Sequence, residues 1–231
     1  MTPTPTLVDF LRDVPMFAEL DDAQLEDIAR EFKTRTYKAR QHSFYESDPG
    51  LMMYLIQDGQ VRIYVNTIDG SETSVVMLGH GQIFGELALI DEEARSANAV
   101  AIAKTVCHTL HRSAFHNLIE RHPQIGRNTM KLLSRRVRNT TRHVESLVSL
   151  DVMQRVARTL LDLAEEHGTP EENNQIRIEM VLRDAHVASM VGASRESVNR
   201  TFRSFRDLGL IERGSSSILL LDVAEMNNLL N

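Results

Sequence analysis

Between about Tyr37 and Leu110 the chain leaves helical periodicity for short β-rich runs: MMYLIQ, QVRIYVN, TSVVML, AVAIA and VCHTL. Pro49-Gly50, Asp58-Gly59, Asp69-Gly70, Gly79 and Gly81 punctuate them. Asp-Gly suits the positive backbone angles of a tight hairpin, and strands at this regular spacing suggest a small sandwich or barrel. Whatever flanks this stretch has to be arranged around a compact β body. Upstream, LVDFLRDV and DDAQLEDIAREF carry two short helical patterns over residues 7–33, with Asp21 placed to cap the second. MTPTPT ahead of them reads as a disordered leader.

After Ser113 the helical period returns, and Pro123 marks the start of a long helix reaching about Leu150. Met130, Leu133, Val137, Thr140, Val144 and Leu147 follow it in alternating steps of three and four, a heptad seam. Such a stripe can simply pack on the β body. Residues 121–143, however, hold seven Lys/Arg and no Asp/Glu, so the apolar strip is narrow and its flanks are polar. A narrow seam on a polar helix favours a coiled-coil homodimer. The basic flanks read as a solvated face and not as a DNA site. The formal net charge of -6 also argues against a protein that coats nucleic acid indiscriminately.

A single cysteine, Cys107, excludes a disulfide framework and any four-cysteine zinc or iron–sulfur site. Within AVAIAKTVCHTL it reads as a buried thiol. His42 and His80 read as surface residues. His108, His111 and His116 span a strand-to-helix junction without the i, i+4 spacing of a metal pair, so no metal is expected. No run approaches the roughly 18 apolar residues of a membrane helix, and no signal peptide opens the chain. The expected compartment is the cytoplasm, with no membrane partner.

A second domain is expected from Asp151. VMQRVARTLLDLAEEHG is an amphipathic helix ending at Gly168; the polar loop TPEENNQ, a short strand in QIRIEM, two helices, a winged hairpin (GLIERGSSSILLL) and a terminal helix follow. The two helices lie in RDAHVASMVGASRESVNRTFRSFRDL, where Gly192 supplies the tight turn and Ser194 caps the second helix. On that helix Arg195, Glu196, Asn199, Arg200, Arg203 and Arg206 share an arc of roughly 140°, opposite Val198, Phe202, Phe205 and Leu208. Arg can grip guanine O6 and N7, Glu can accept from cytosine N4, and Asn can read adenine. Ser194, Arg195, Glu196, Ser197, Asn199, Arg200 and Arg203 are therefore the expected contacts to double-stranded DNA, in preference to a solvated face. The wing and the helix N-termini would hold phosphates.

Residues 81–97, GQIFGELALIDEEARSA, break an apolar run with Gly85 and Glu86 and end at Arg95 and Ser96. That company fits a turn with a buried Glu86–Arg95 ion pair, an enzyme's phosphate loop, or a receptor for a small anion. An enzyme needs a nucleophile or a paired acid and base nearby. Glu86 alone, without a Walker lysine, is weak support, and no catalytic residue is expected.

GASRESVNRTFRSFRDLGLI resembles the helix-turn-helix of the cyclic AMP receptor protein/Fnr family of bacterial regulators. Ala188, Gly192 and Val198 match the motif's small residue, turn glycine and core residue, and Arg195, Glu196 and Arg200 match its base-reading Arg, Glu and Arg. LRDVPMFAELDDAQLEDIA is similar to the family's N-terminal helical segment, FGELALIDEEARSANAV to its phosphate-binding cassette, and SLDVMQRVARTLLDLA to its hinge and following helix. Arg183 and Ala185 stand where many members have Thr and Gln, and Asp48-Pro49-Gly50 replaces a Gly-Asp turn. The resemblance implies an α+β chain in three parts. A cyclic-nucleotide-binding, jelly-roll-like β-roll would cover residues 7–122, a dimerisation helix and hinge 123–150, and a winged helix-turn-helix 151–231.

It implies, further, a cyclic nucleotide, cyclic AMP (cAMP) first, as allosteric ligand. Gly85 would let backbone approach the phosphate, the Leu87 and Ala88 amides at the start of a short helix would donate to it, and Arg95 would add a forked cation. Ser96 would add a hydrogen bond, and Glu86 would accept from the ribose hydroxyl. Thr140 and Thr141 match the hydroxyl pair that binds adenine, one from each subunit. The alternative for Thr140 is a polar seam residue that sets dimer register. Val76 stands where the cyclic AMP receptor has a hydroxyl near the base. The expected whole is a homodimeric transcription regulator on a two-fold symmetric DNA site, its recognition helices about 34 Å apart, working with RNA polymerase. The same fold with a different effector, or none, is the alternative.

Overall fold

The computed structural model of the protein describes residues 6–230. It divides into two compact units, one running to Ile63 and resuming over Met77–Asn139, the other formed by Tyr64–Val76 and the chain from Thr140 onward. Of the expected leader only Thr6 lies within the described residues. Thr6 caps α1 (Leu7–Arg12) in a capping box with Asp9, and Asp21 caps α2 (Asp22–Glu31) in the same way with Gln24. Each box satisfies amides that a helix start leaves without partners.

The β body follows: β1 (Lys33–Tyr37), β2 (His42–Phe44), β3 (Met52–Asp58), β4 (Val61–Asn66), β5 (Glu72–Leu78), β6 (Ile83–Phe84), a one-turn helix α3 (Leu87–Ile90), β7 (Asn98–Ala101) and β8 (Thr105–His111). Its strands form two sheets, ordered β1-β8-β3-β6 and β2-β7-β4-β5. Asp58-Gly59 and Asp69-Gly70 make the β3–β4 and β4–β5 connections, as their turn chemistry predicts. β1, β2 and β6 correspond to none of the expected runs. KTRTY is polar and four-fifths exposed, and it becomes a strand only because β8 pairs with its whole length, Lys33↔Thr109 to Tyr37↔Thr105.

The core of this unit joins Met53 and Leu55 of β3 and Leu110 of β8 to Phe10, Leu11, Leu25 and Ile28 of α1 and α2. Phe115 and Leu118 of α4 (Arg112–Arg121) complete it. Helices as short as α1 are unstable alone. Burial at about 1.5–3 kcal/mol per large apolar side chain holds them here.

Pro123 opens α5 (Pro123–Ser149), a helix of 27 residues. On its seam Met130, Val137, Val144 and Leu147 are exposed, with Val137 65% accessible, and Leu133 is half-buried. The stripe is therefore apolar surface that a single chain leaves uncovered. Among the described residues no helix is long and apolar enough to cross a membrane.

In the second unit Asp151 caps α6 (Val152–His167), again in a capping box, with Gln154. There follow β9 (Gly168–Pro170), β10 (Ile176–Ile178), α7 (Asp184–Val191), α8 (Arg195–Asp207), β11 (Ile211–Arg213), β12 (Ile218–Leu220) and α9 (Val223–Asn228). The sheet order is β11-β12-β10-β9. Part of the expected polar loop is thus a strand, since β9 pairs with β10 from Gly168↔Ile178 to Pro170↔Ile176. Leu208 is a second correction: expected in the core, it is 62% exposed. α8 ends at Asp207, the chain reverses through Gly209 at φ +70°, and Leu210 takes the buried position instead. The outer part of the β4–β5 hairpin belongs to this unit. Ser189 Oγ on α7 accepts from the Ser74 amide at 2.6 Å and donates to the Glu72 carbonyl at 2.9 Å.

Candidate ligand and DNA-binding sites

β6 carries Ile83 and Phe84 into the core, and Gly85 then turns the chain at φ +74°. A Cβ at Gly85 would stand 2.7 Å from Arg95 Nη1 and 3.3 Å from the Met52 carbonyl. Glycine therefore serves both the left-handed backbone and the close approach of the arginine. Glu86 precedes α3, where Leu87 is exposed and Ala88 buried. Their amides lie in the helix's first turn, which leaves them without an intrahelical acceptor. Backbone bonds from Arg95 N to Asp48 O (3.0 Å) and from Ser47 N to Arg95 O (2.9 Å) tether the far end of the cassette to the Asp48-Pro49-Gly50 turn.

Arg95 is only 5% exposed. Its Nη1 donates to the Gly85 carbonyl and its Nη2 to the Met52 carbonyl, both at 2.6 Å, and the guanidinium lies 4.1 Å from the Phe44 ring centre. Among the described residues it makes no ion pair, and its Nε–H has no hydrogen-bond partner. Burial lowers its pKa, opposed by the charges of the Glu86 and Asp48 carboxylates; an arginine stays protonated regardless. Burial also pushes the nearby Tyr54 hydroxyl up to about 12. A buried cation held by carbonyls and an aromatic ring, with no ion pair, carries a desolvation cost that an anion beside it would offset. The fork, the glycine and the two amides fit a phosphodiester. Ser96, next in the chain, is exposed.

Glu86 is 1% exposed but does not pair with Arg95, so the ion-pair reading of the cassette is not realised. Its Oε1 accepts instead from Arg136 Nη1 on α5, whose Nη2 donates to the Ile83 carbonyl. Nothing in the local sequence singles out Arg136, one of six Lys/Arg on a helix whose basic flanks read as a solvated face, beyond its place one helical step of four before Thr140, on the seam side. Thr140 and Thr141 themselves are exposed on α5.

The three histidines of the strand-to-helix junction go to separate partners. His108 is buried between Phe10 and Phe32 with Nδ1 3.2 Å from Thr34 Oγ1, His111 caps α4, and His116 Nε2 lies 2.8 Å from the Leu89 carbonyl. His80 is exposed, as expected, and tilts against Phe10; His42 is half-buried and stacks on Tyr45. Cys107 is fully buried, which pushes its thiol up to about 12.

In the second unit Gly192 ends α7 in the left-handed conformation (φ 60°, ψ 46°), and Ser194 Oγ accepts from the Ser197 amide at 3.1 Å to cap α8. Val198, Phe202 and Phe205 are buried. Arg195, Glu196, Asn199, Arg200 and Arg203 are exposed and line one open groove together with Asp184. Ser197 and Arg200 also line a second groove beside Asp151 and Val152, at the positive N-terminal end of α6. One expected reader is not free: Asn199 Nδ2 donates to Asp184 Oδ2 at 2.9 Å. Arg213 Nη1 donates to the other carboxylate oxygen at 2.6 Å. Burial raises the Asp184 pKa, but the Asn199 and Arg213 hydrogen bonds, with the charges of Arg213 and Arg195, bring it below the usual carboxylate value. Neither Asp184 nor Arg213 carries a local sequence signal, since 15 and 29 residues separate the bonded positions.

Two family models match the chain: a cyclic nucleotide-binding domain over residues 34–122 and a Crp-like helix-turn-helix domain over residues 154–229. The cyclic AMP receptor protein of Thermus thermophilus is 30% identical over 93% of this chain and 95% of its own length. The chain belongs to the cyclic AMP receptor protein/Fnr family. A CRP-like cAMP-activated global transcriptional regulator of Mycobacterium tuberculosis is 29% identical over the same shares of both chains. Among solved structures, the c-di-GMP responsive global regulator CLP of Xanthomonas campestris matches with a TM-score of 0.68 at 25% identity, over 87% of this chain and all of that one. The protein is thus a DNA-binding transcription regulator with a cyclic-nucleotide-binding domain, and not an enzyme. The cassette lies inside the first matched region and the α7–α8 pair inside the second.

Proposed function

We propose that this regulator is a cytoplasmic homodimer whose binding to a two-fold symmetric DNA site is controlled by cAMP held at the Gly85–Ser96 cassette. The observation that carries the reading is Arg95: a buried arginine with no ion pair among the described residues and an unpartnered Nε–H, beside Gly85. A bound cyclic nucleotide supplies an anionic phosphodiester, a ribose hydroxyl and a flat base. Arg95, the Leu87 and Ala88 amides and Ser96 take the phosphodiester. Arg136 occupies Glu86 Oε1, so Oε2 is left to accept from the ribose hydroxyl. Thr140 and Thr141 supply hydroxyls to the base.

The exposed seam of α5 supports the dimer, since Met130, Val137, Val144 and Leu147 keep heptad spacing and are uncovered in one chain. Ser194, Arg195, Glu196, Ser197, Asn199, Arg200 and Arg203 meet the DNA, and RNA polymerase is the downstream partner. Control requires that the ligand bind the DNA-competent state more tightly than the alternative. A different cyclic nucleotide is the second reading; Val76 in place of a hydroxyl and the c-di-GMP responsive relative favour it.

Titration with cAMP, cyclic GMP and cyclic di-GMP, read by thermal shift and by binding to a duplex library, tests this. Stabilisation by cAMP, a tighter DNA complex, and loss of both in Arg95→Gln are expected. Stabilisation by none of the three would remove nucleotide control and leave DNA binding standing. Sedimentation at micromolar concentration should show a dimer, and Val137→Glu should yield monomer.

A further inference from the structure

Asp184 places a carboxylate on the face that meets DNA, in the groove lined by Arg195, Glu196, Asn199, Arg200 and Arg203. A negative charge facing a polyanion needs a reason. The carboxylate is held on one side by Arg213, whose own position is fixed: Nη2 donates to the Leu182 carbonyl at 2.5 Å and the guanidinium lies 4.3 Å from the Phe202 ring centre. Its other oxygen, Oδ2, receives the Asn199 amide.

An ionised carboxylate only accepts hydrogen bonds, so the end of Asn199 that faces it has to be the NH2 group. That removes the ambiguity between the nitrogen and oxygen ends of an amide, which an unpartnered asparagine retains by rotating. The Asn199 oxygen is then the end left for the groove. The orientation comes from α7 and the β11 strand, neither of which has to touch the base.

We propose that Asp184 is a positioning residue for base recognition: by holding the Asn199 NH2 group it commits Asn199 Oδ1 to the DNA, and the base opposite must offer an exocyclic amine, adenine N6 or cytosine N4. Guanine O6 and thymine O4 would set acceptor against acceptor at that point. Arg213 neutralises Asp184, so the device adds selectivity without placing a bare charge against the phosphates. It rests on Asn199 reading a base edge.

The test is binding to duplexes randomised across the half-site, with and without cAMP, for the wild type, Asp184→Asn, Asn199→Ala, the double variant and Arg213→Gln. The wild type should prefer an amine-bearing base at one position of each half-site by about fivefold or more. Asp184→Asn keeps the shape but can donate as well as accept, so Asn199 can turn over; the preference there should fall to about twofold or less. Preferences at other positions should persist, and total DNA affinity should hold or rise, because a negative charge has gone. In the Asn199→Ala background Asp184→Asn should change nothing at that position. Arg213→Gln, which keeps the Asn199 contact, should retain the preference. A preference that survives Asp184→Asn, or a loss spread evenly over all positions, overturns the proposal while leaving Asn199 as a reader. An Asn199→Ala protein with unchanged preferences everywhere overturns the reading of Asn199 itself, and the proposal with it.

Discussion

Replacing Arg136 by Ala would strand the Glu86 carboxylate in the interior of the first unit. Glu86 has a side chain 2% exposed, and Arg136 is the one cation paired with it among the described residues. Removing one partner of a buried pair costs about 3–5 kcal/mol, chiefly because the remaining charge is left unpaired. The Arg136 side chain is 34% exposed, so water can enter where it stood and the lower end, about 3 kcal/mol, applies. The Ile83 carbonyl also loses its donor. For a chain of this size about 3 kcal/mol corresponds to a fall in Tm of roughly 6–12 °C.

A cycle separates charge from packing. Glu86→Gln alone should cost about 1 kcal/mol, because Arg136 is left partly solvated. Glu86→Gln in the Arg136→Ala background should recover about 2 kcal/mol of the loss, since a neutral amide carries a smaller burial cost. Urea denaturation of the four proteins measures all three differences. A double variant as unstable as Arg136→Ala would refute the reasoning and assign the loss to packing of the long arginine stem.

Three further outcomes are expected. Gly85→Ala should cost roughly 1–2 kcal/mol by denaturant titration, since an alanine at positive φ is strained, and it should weaken nucleotide binding because its Cβ meets Arg95 Nη1. Ser194→Ala should cost about 1 kcal/mol through loss of the α8 cap, read as a lower urea midpoint with an unchanged slope. Burial holds His108 below the usual 6.5, and burial with the Arg155 charge does the same at His143. The unfolded chain then takes up protons near pH 6.5 that the folded one refuses. Stability should therefore be full above that pH and fall as pH drops below it toward the folded-state values. Denaturation at about pH 7.5, 6.5 and 5.5 checks this, with His108→Leu expected to flatten the slope to the His143 share; an unaltered slope would exclude His108.

What the amino-acid order alone determined is local. Asp58-Gly59 and Asp69-Gly70 specify turns whatever surrounds them, Asp21 and Ser194 cap the helices that begin beside them, and the seam of α5 is visible because helical neighbours are three and four residues apart. The resemblance carried by the cassette and the α8 face was legible for the same reason: each is a short contiguous stretch. Tertiary structure decided the rest. KTRTY and Gly168–Pro170 are strands only because β8 and β10 present a hydrogen-bonding edge to them. Leu210 displaced Leu208 from the core because the chain reverses at Gly209.

The same holds for the charges at both sites. Glu86 could be read as a partner for Arg95, nine residues on, but a helix 50 residues away supplied the guanidinium. Asn199 could be read as a free base contact, but its NH2 group donates to Asp184, whose other carboxylate oxygen accepts from Arg213 of β11. Periodicity and capping depend on the spacing of neighbours along the backbone. The pairing of a buried charge depends on which side chain, from anywhere in the chain, reaches it before water does.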